Sequence, residues 1–324
     1  MKNPSPRVRR GFTIIELLVA MAITTLIVTV LVSVTSLSLE TWNRSRSEIR
    51  ASRQGKAMVD SMANDFEAMV SRRGNSFDWL FARTAVPTSG PNGNNSPNAA
   101  EIAFLSAATD RYNGAIGETD DKGGDVSGVA YKLTYQDTIV AGGDDSLNTF
   151  ALYRKIINPD ETFKKMLGTA YDSGTPSSDA LLVAAVQAES DDDITGDAIE
   201  TRANYICENI YQFTLIFHVA VTKTDGTPGT AQVSLGGGTN STDIFKVHGS
   251  GIYVDAGVAG PTGSGISNEQ IKAGRLAAVE VSVTVLSDFA IEQMRKRTFT
   301  SAAKSEFIAK NSYQYSKLIP VPGT

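Results

Sequence analysis

Cysteine occurs once in the 324 residues, as Cys207, so no intrachain disulfide can form. A chain of this length has room for a sizeable core without one, and the count is silent about compartment. Histidine occurs only at His218 and His248, which excludes a His-rich zinc site and an HExxH arrangement. No GxSxG, no P-loop and no GxGxxG behind a strand is present. A basic excess is missing too: the formal net charge is −5 and 20% of residues are charged, so no nucleic-acid footprint is expected. Without a catalytic constellation, the expectation is a protein that is not an enzyme.

The charge that is present is unevenly spread. Lys2, Arg7, Arg9 and Arg10 stand ahead of any acid, and the stretch from Arg44 to Arg73 is again mostly basic. Acid collects later, in ETDDKGGD (Glu118 to Asp125) and ESDDDITGD (Glu189 to Asp197). Between the two basic stretches, 17 of the 23 positions from Phe12 to Val34 are apolar. The exceptions are Thr13, Glu16, Thr24, Thr25, Thr29 and Ser33, and hydroxyls can return to the helix backbone in lipid. Twenty-three helical residues span roughly 34 Å, enough to cross a bilayer. Positive charge before Phe12 predicts a cytoplasmic N-terminus and an exported remainder. The run is too long for the apolar core of a signal peptide, and no small-x-small cleavage site follows it. A plain anchor helix has no use for Glu16, because a carboxylate at membrane depth is costly and usually marks function. It also leaves Gly11, where basic leader meets apolar run, without a reason.

The segment RGFTIIELLVAMAI, Arg10 to Ile23, resembles the leader junction of type IV pilins and type II secretion pseudopilins. That family pattern is a short basic leader, a glycine, an apolar residue that is usually phenylalanine, and a glutamate inside the membrane span. The resemblance implies cleavage by a prepilin peptidase between Gly11 and Phe12, N-methylation of the Phe12 amine, and an assembly role for Glu16. There the carboxylate would meet the Phe12 ammonium of a neighbouring subunit, each ion offsetting the burial cost of the other. A chance carboxylate that snorkels to the interface is the plainer alternative. The implied partners are the peptidase, other pilin or pseudopilin subunits and inner-membrane lipid. The implied location is the bacterial inner membrane, single-pass, with a periplasmic head, and a filament after assembly.

Beyond the span, Glu40 to Val70 contains no proline and only Gly55 as a weak point. Ile49, Met58, Met62, Phe66 and Met69 recur at helical spacing, while Arg44, Arg50, Arg53, Asp60, Asp65 and Glu67 read as a solvated face. The expected organisation is a leader at 1–11, a transmembrane helix at 12–36, an amphipathic helix at 37–73 that ends by Arg73-Gly74, and a β-rich head at 74–324 with a flexible tail. The fold class is α+β: a long N-terminal helix packed on an antiparallel sheet with long loops. EIAFLS (101–106), VAYKLTYQ (129–136), FALYRKII (150–157), YQFTLIFHVAVT (211–222) and LAAVEVSVTVLSD (276–288) read as strands, the last two by period-two alternation. DALLVAAVQAES (179–190) reads equally as helix or strand. Thr224 to Gly265 reads as a long polar excursion, and a helix is expected around Ile291 to Ile308. This order resembles the J-type minor pseudopilins, and pilin-like cassette proteins of bacteria such as the Verrucomicrobia. The excursion and the tail exceed the compact J-type pattern.

Asp191, Asp193, Thr195 and Gly196 resemble the opening of a calcium loop, but Arg202 stands where such a loop needs a bidentate glutamate. A calcium site of another kind on Asp191, Asp193 and Asp197 competes with a solvated acidic turn, and no cofactor is otherwise expected. His218 reads as a surface or packed histidine and Cys207 as a small buried filler. The leading function is a minor pilin-like subunit; the alternative is an extracytoplasmic binding protein on an ordinary membrane anchor.

Overall fold

The computed structural model describes residues 13–75, 77–84, 90–96, 98, 100–107, 125–138, 147–157, 159, 162, 199–236, 241–254 and 265–322. The chain divides into two compact units, Met1–Ile49 and Arg50–Thr324. Helix α1 (Ile14–Glu67) runs for 54 residues without a proline. In the first unit none of its residues is buried. In the second unit Ala51, Gly55, Met58, Val59, Met62, Ala63, Asp65 and Phe66 are buried, a stripe at three- and four-residue spacing. The helix stops at Glu67, short of Arg73-Gly74. There the chain turns extended: the Val70 N–H donates to the Leu105 carbonyl at 2.9 Å and the Ala107 N–H to the Ala68 carbonyl at 2.8 Å.

The strands of the second unit are β1 (Asp78–Thr84), β2 (Ala100–Ser106), β3 (Ser127–Gln136), β4 (Thr149–Ile157), β5 (Tyr205–Glu208), β6 (Ile210–Thr222), β7 (Pro228–Leu235), β8 (Ser241–Thr242), β9 (Ile244–His248), β10 (Gly251–Val254), β11 (Arg275–Leu286) and β12 (Ser312–Pro320). The helices are α2 (Asn268–Ala273), α3 (Asp288–Lys296) and α4 (Ser301–Asn311). Among the described residues they form a seven-stranded sheet ordered β10-β9-β1-β2-β3-β4-β5 and a five-stranded sheet ordered β12-β11-β6-β7-β8. Every pairing is antiparallel except that of β7 with the short β8. The α+β class, a long apolar helix followed by antiparallel sheets, is therefore as the pattern predicts.

The two sheets face each other over one core. Phe217 on β6 stacks on Phe245 on β9 with ring centroids 3.8 Å apart, and Phe150 on β4 meets Tyr211 on β6 edge-on at 5.4 Å. Met58, Met62 and Phe66 of α1 enter the same core, where Phe66 stacks on Phe104 of β2 at 4.4 Å. The seven-stranded sheet is apolar on its other face as well, through Trp79, Phe81, Leu105, Tyr153 and Ile157. Strands buried on both faces lose their alternation, which is why β1 carries no period-two signal. In β6, by contrast, Tyr211, Phe213, Leu215, Phe217, Val219 and Val221 are buried while the residues between them are partly exposed, as the sequence predicts.

Asn209 joins β5 of one sheet to β6 of the other. It lies in the left-handed region with φ 65°, a conformation asparagine tolerates better than most residues. Its side chain accepts from the Thr149 hydroxyl at 2.8 Å and donates to Asp288 at 2.6 Å, while its carbonyl accepts from the Leu286 N–H at 2.8 Å. A chain that leaves one layer for the other needs such a corner.

Three expectations need correction. The tail is ordered: two helices, α3 and α4, replace the single helix expected, and β12 pairs with β11 along its whole length from Ser312↔Leu286 to Pro320↔Ala278. The reason is that Tyr313, Tyr315, Lys317 and Ile319 share one face of the strand and turn toward the core and α1. The Tyr315 hydroxyl bonds Ser52 at 2.7 Å and Lys317 pairs with Asp60 at 3.0 Å. The polar excursion likewise contains β7, β9 and β10, whose alternate Ala231, Val233, Leu235, Phe245 and Ile252 fill the core between glycines and hydroxyl residues. Asp65, finally, is not on a solvated face; it is 2% exposed. DALLVAAVQAES lies outside the described residues.

Gly55 is a contact point, not a weak point. A Cβ built there would lie 2.7 Å from Val285 Cγ2 and 2.8 Å from Tyr315 Cδ2, so the missing side chain lets α1 approach β11 and β12. Gly55→Val is expected to lower stability by about 1–3 kcal/mol through overpacking, more than the few tenths recovered in helix propensity. The check is the urea midpoint of the full chain in detergent, and an unchanged midpoint would contradict the close approach.

Candidate assembly site

The N-terminal end of α1 is built by its own sequence. Thr13 precedes the first helical residue, Ile14, and Glu16 is the third residue of the helix. The Glu16 N–H donates to the Thr13 hydroxyl at 3.3 Å, and the Thr13 N–H and hydroxyl donate to Glu16 Oε2, each at 2.9 Å. This is a reciprocal capping box, S/T-x-x-E at the head of an apolar run. It satisfies donors that a helix terminus otherwise leaves open, and it places an anion at the positive end of the helix dipole. Glu16 therefore has a local partner before any neighbour arrives. Composition marks Thr13 only as a polar interruption of the apolar run, whereas the order Thr13-Ile14-Ile15-Glu16 spells the capping signature.

Behind the cap, the apolar side chains find nothing to cover them among the described residues. Ile14 is 82% exposed, and Leu26, Leu31 and Leu37 are similarly open. An apolar surface of this extent marks a membrane or a protein partner. The polar interruptions are neutralised internally. Thr24 Oγ1 donates to the Ala20 carbonyl, Thr25 to Met21, Thr29 to Thr25 and Ser33 to Thr29, at 2.8, 2.8, 2.8 and 2.9 Å. Thr35, Ser38 and Thr41 repeat the arrangement one turn at a time. No hydroxyl among these is left to confront hydrocarbon unbonded.

At the other end of α1, inside the second unit, a buried ion pair fastens the helix to the seven-stranded sheet. Asp65 receives two bonds from Arg154 of β4, Nε to Oδ2 at 2.8 Å and Nη2 to Oδ1 at 2.5 Å. The Tyr131 hydroxyl of β3 donates to the same Oδ2. Burial, and then the Asp65 charge, push the Tyr131 phenol well above its usual range, so it stays protonated and serves as donor. The Asp65 carbonyl in turn accepts from the Ser106 hydroxyl at 3.0 Å. Arg50 makes a more exposed contact earlier on the same helix, pairing with Glu208 and, at 3.9 Å, with Asp288.

The remaining candidates fall apart as a site. Gly11 and Phe12 lie outside the described residues, as do Asp191, Asp193 and Asp197. Among the described residues no group of three His, Cys, Asp or Glu side chains could hold a metal. Cys207 is 2% exposed and burial pushes its thiol up to about 12, which suits a packed filler and not a nucleophile. His218 is packed on β6 with its Nε2 3.6 Å from Glu280 Oε2.

No curated protein and no solved structure matches the chain in comparison. One family model does match: residues 6–32 fit the prokaryotic N-terminal methylation motif. The matched stretch holds Gly11, Phe12, the Thr13–Glu16 cap and most of the uncovered apolar run. It supports a type IV pilin-like protein of the prepilin type, and the single long apolar helix among the described residues is consistent with membrane anchoring.

Proposed function

We propose that this chain is a minor pilin-like, or pseudopilin, subunit. A prepilin peptidase of the inner membrane removes residues 1–11 after Gly11, the Phe12 amine is methylated, and α1 carries the subunit into a type II secretion pseudopilus or a type IV pilus-like filament. The observation that carries this reading is the methylation motif at residues 6–32, most of which falls on a helix whose apolar half no other described residue covers. In the bilayer, lipid covers that half; in a filament, the helices of neighbouring subunits do. The fold of the second unit supports the same division of labour, since it buries only the later part of α1. The role is structural and needs no catalytic group, metal or cofactor. N-terminal sequencing of the protein extracted from membranes is expected to begin at N-methylated Phe12. A chain that begins at Met1 while performing its role would leave an ordinary anchor carrying an extracytoplasmic binding domain.

A further inference from the structure

We infer that the exported end of the membrane span carries its own headgroup-binding girdle, in which Leu39, Trp42 and Arg46 dock onto the phosphodiester layer of the bilayer. The inference rests on the membrane-span reading above and adds where the helix leaves the lipid. From Ile14 to Leu39 the helix is about 39 Å long at 1.5 Å per residue, more than the roughly 30 Å of hydrocarbon it must cross. The surplus puts Leu39 and the turn after it at headgroup depth. Leu39, Trp42 and Arg46 succeed one another at steps of three and four residues, so they form one stripe of the first unit, and Arg46 lies within reach of the headgroups through its long side chain. All three are exposed; Trp42, at 68%, is an uncovered indole on a helix that buries nothing in this stretch.

The chemistry of the stripe matches an interface rather than water or hydrocarbon. An indole has an apolar body and one N–H donor, and it settles where acyl chain meets headgroup. Arg46, one turn further, makes no ion pair among the described residues, and its guanidinium can bond phosphate oxygens two at a time. Arg44, by contrast, is engaged by Glu48 at 3.1 Å, so the acid next in line is already neutralised and does not oppose an anionic headgroup. The stripe occupies one side of the helix, so docking it also selects a direction of tilt, which the surplus length permits.

The test uses the indole itself. The full chain is reconstituted into phosphatidylglycerol-containing vesicles with Trp79→Phe, which leaves Trp42 as the only tryptophan, since the chain has two. Lipids brominated close to the headgroup are expected to cut its emission by about half, with weaker quenching from lipids brominated near the chain end and little from aqueous iodide. Because Trp79 is 5% exposed in the head and its replacement can disturb folding, Trp42→Phe serves as the converse variant. In that variant the quenching by shallow bromolipid should vanish. Arg46→Glu should shift Trp42 emission to the red and reduce shallow quenching. If the protein floats with the vesicles while Trp42 is open to iodide and untouched by bromolipid, the girdle is wrong and the span stands. Quenching greatest from the deep bromolipid also overturns it, and protein that fails to float overturns girdle and span together.

Discussion

Asp65→Ala is expected to cost the sheet-bearing unit about 1–3 kcal/mol, because it removes the carboxylate that accepts two Arg154 N–H groups and the Tyr131 hydroxyl in a largely buried setting. The side chains concerned are 3% and 17% exposed, so water cannot replace the lost carboxylate in full. Tyr131 loses its acceptor in the same step, and an unsatisfied buried hydroxyl adds to the cost. The measurement is the urea midpoint of the full chain in detergent, followed on the head. A double-mutant cycle with Arg154→Ala separates the pair from its surroundings: the double variant should be less destabilised than the two single costs added together, by about 1–3 kcal/mol. An Asp65→Ala protein within about 0.5 kcal/mol of the parent would show that the pair does not fasten the helix. The consequence for assembly is mechanical. On the proposed reading, a subunit drawn through its N-terminal helix transmits the load to its head through what binds that helix to the sheets, and Asp65 is the buried one of the charged groups in that attachment, beside Met62 and Phe66.

Asp65 also shows where the sequence could be read and where it misled. Its position was legible: it lies three residues past Met62 and four before Met69, on the stripe that the apolar residues define. Its identity spoke against burial, since an aspartate is rarely buried unless paired, and the partners that make burial tolerable stand 66 and 89 residues away in the chain. The strands divide in the same manner. β6 and β11 pack one face on the core and so alternate visibly, whereas β1 is covered on both sides and β7, β9 and β10 interleave their core residues with glycine, serine and threonine. β12 hid because its inward face is tyrosine and lysine, whose polar ends reach Ser52 and Asp60 on α1. At the N-terminus the balance is different. Charge, glycine, carboxylate and apolar run all act locally, so the methylation motif was readable residue by residue. The cap is equally local, but a carboxylate at membrane depth reads first as the partner of an external charge, which masks its bond to Thr13.

That cap makes the second large prediction sharper. Two roles now compete for Glu16: completing the helix terminus of its own subunit, and pairing with the Phe12 ammonium of the next. Glutamine separates them, because a capping box accepts Gln in place of Glu while Gln carries no charge. On the proposed reading, Glu16→Gln keeps the helix start, remains a substrate for the peptidase and enters the membrane, yet fails to join a filament. Removing one member of a buried pair costs about 3–5 kcal/mol, which at roughly 1.4 kcal/mol per tenfold lowers incorporation by about a hundredfold or more. Thr13→Val is the opposite variant: it removes the side-chain half of the cap, worth about 1 kcal/mol, and leaves the carboxylate in place. It is expected to assemble nearly as well as the parent. The readout is the share of subunit recovered in sheared filaments against that left in the membrane, with N-terminal sequencing to confirm that each variant is cut. Should Glu16→Gln assemble normally while Thr13→Val does not, the carboxylate serves its own helix and sets no stagger between subunits. The order of the two variants decides the matter, since the cap and the charge cannot both be spared by one substitution and both be lost by the other.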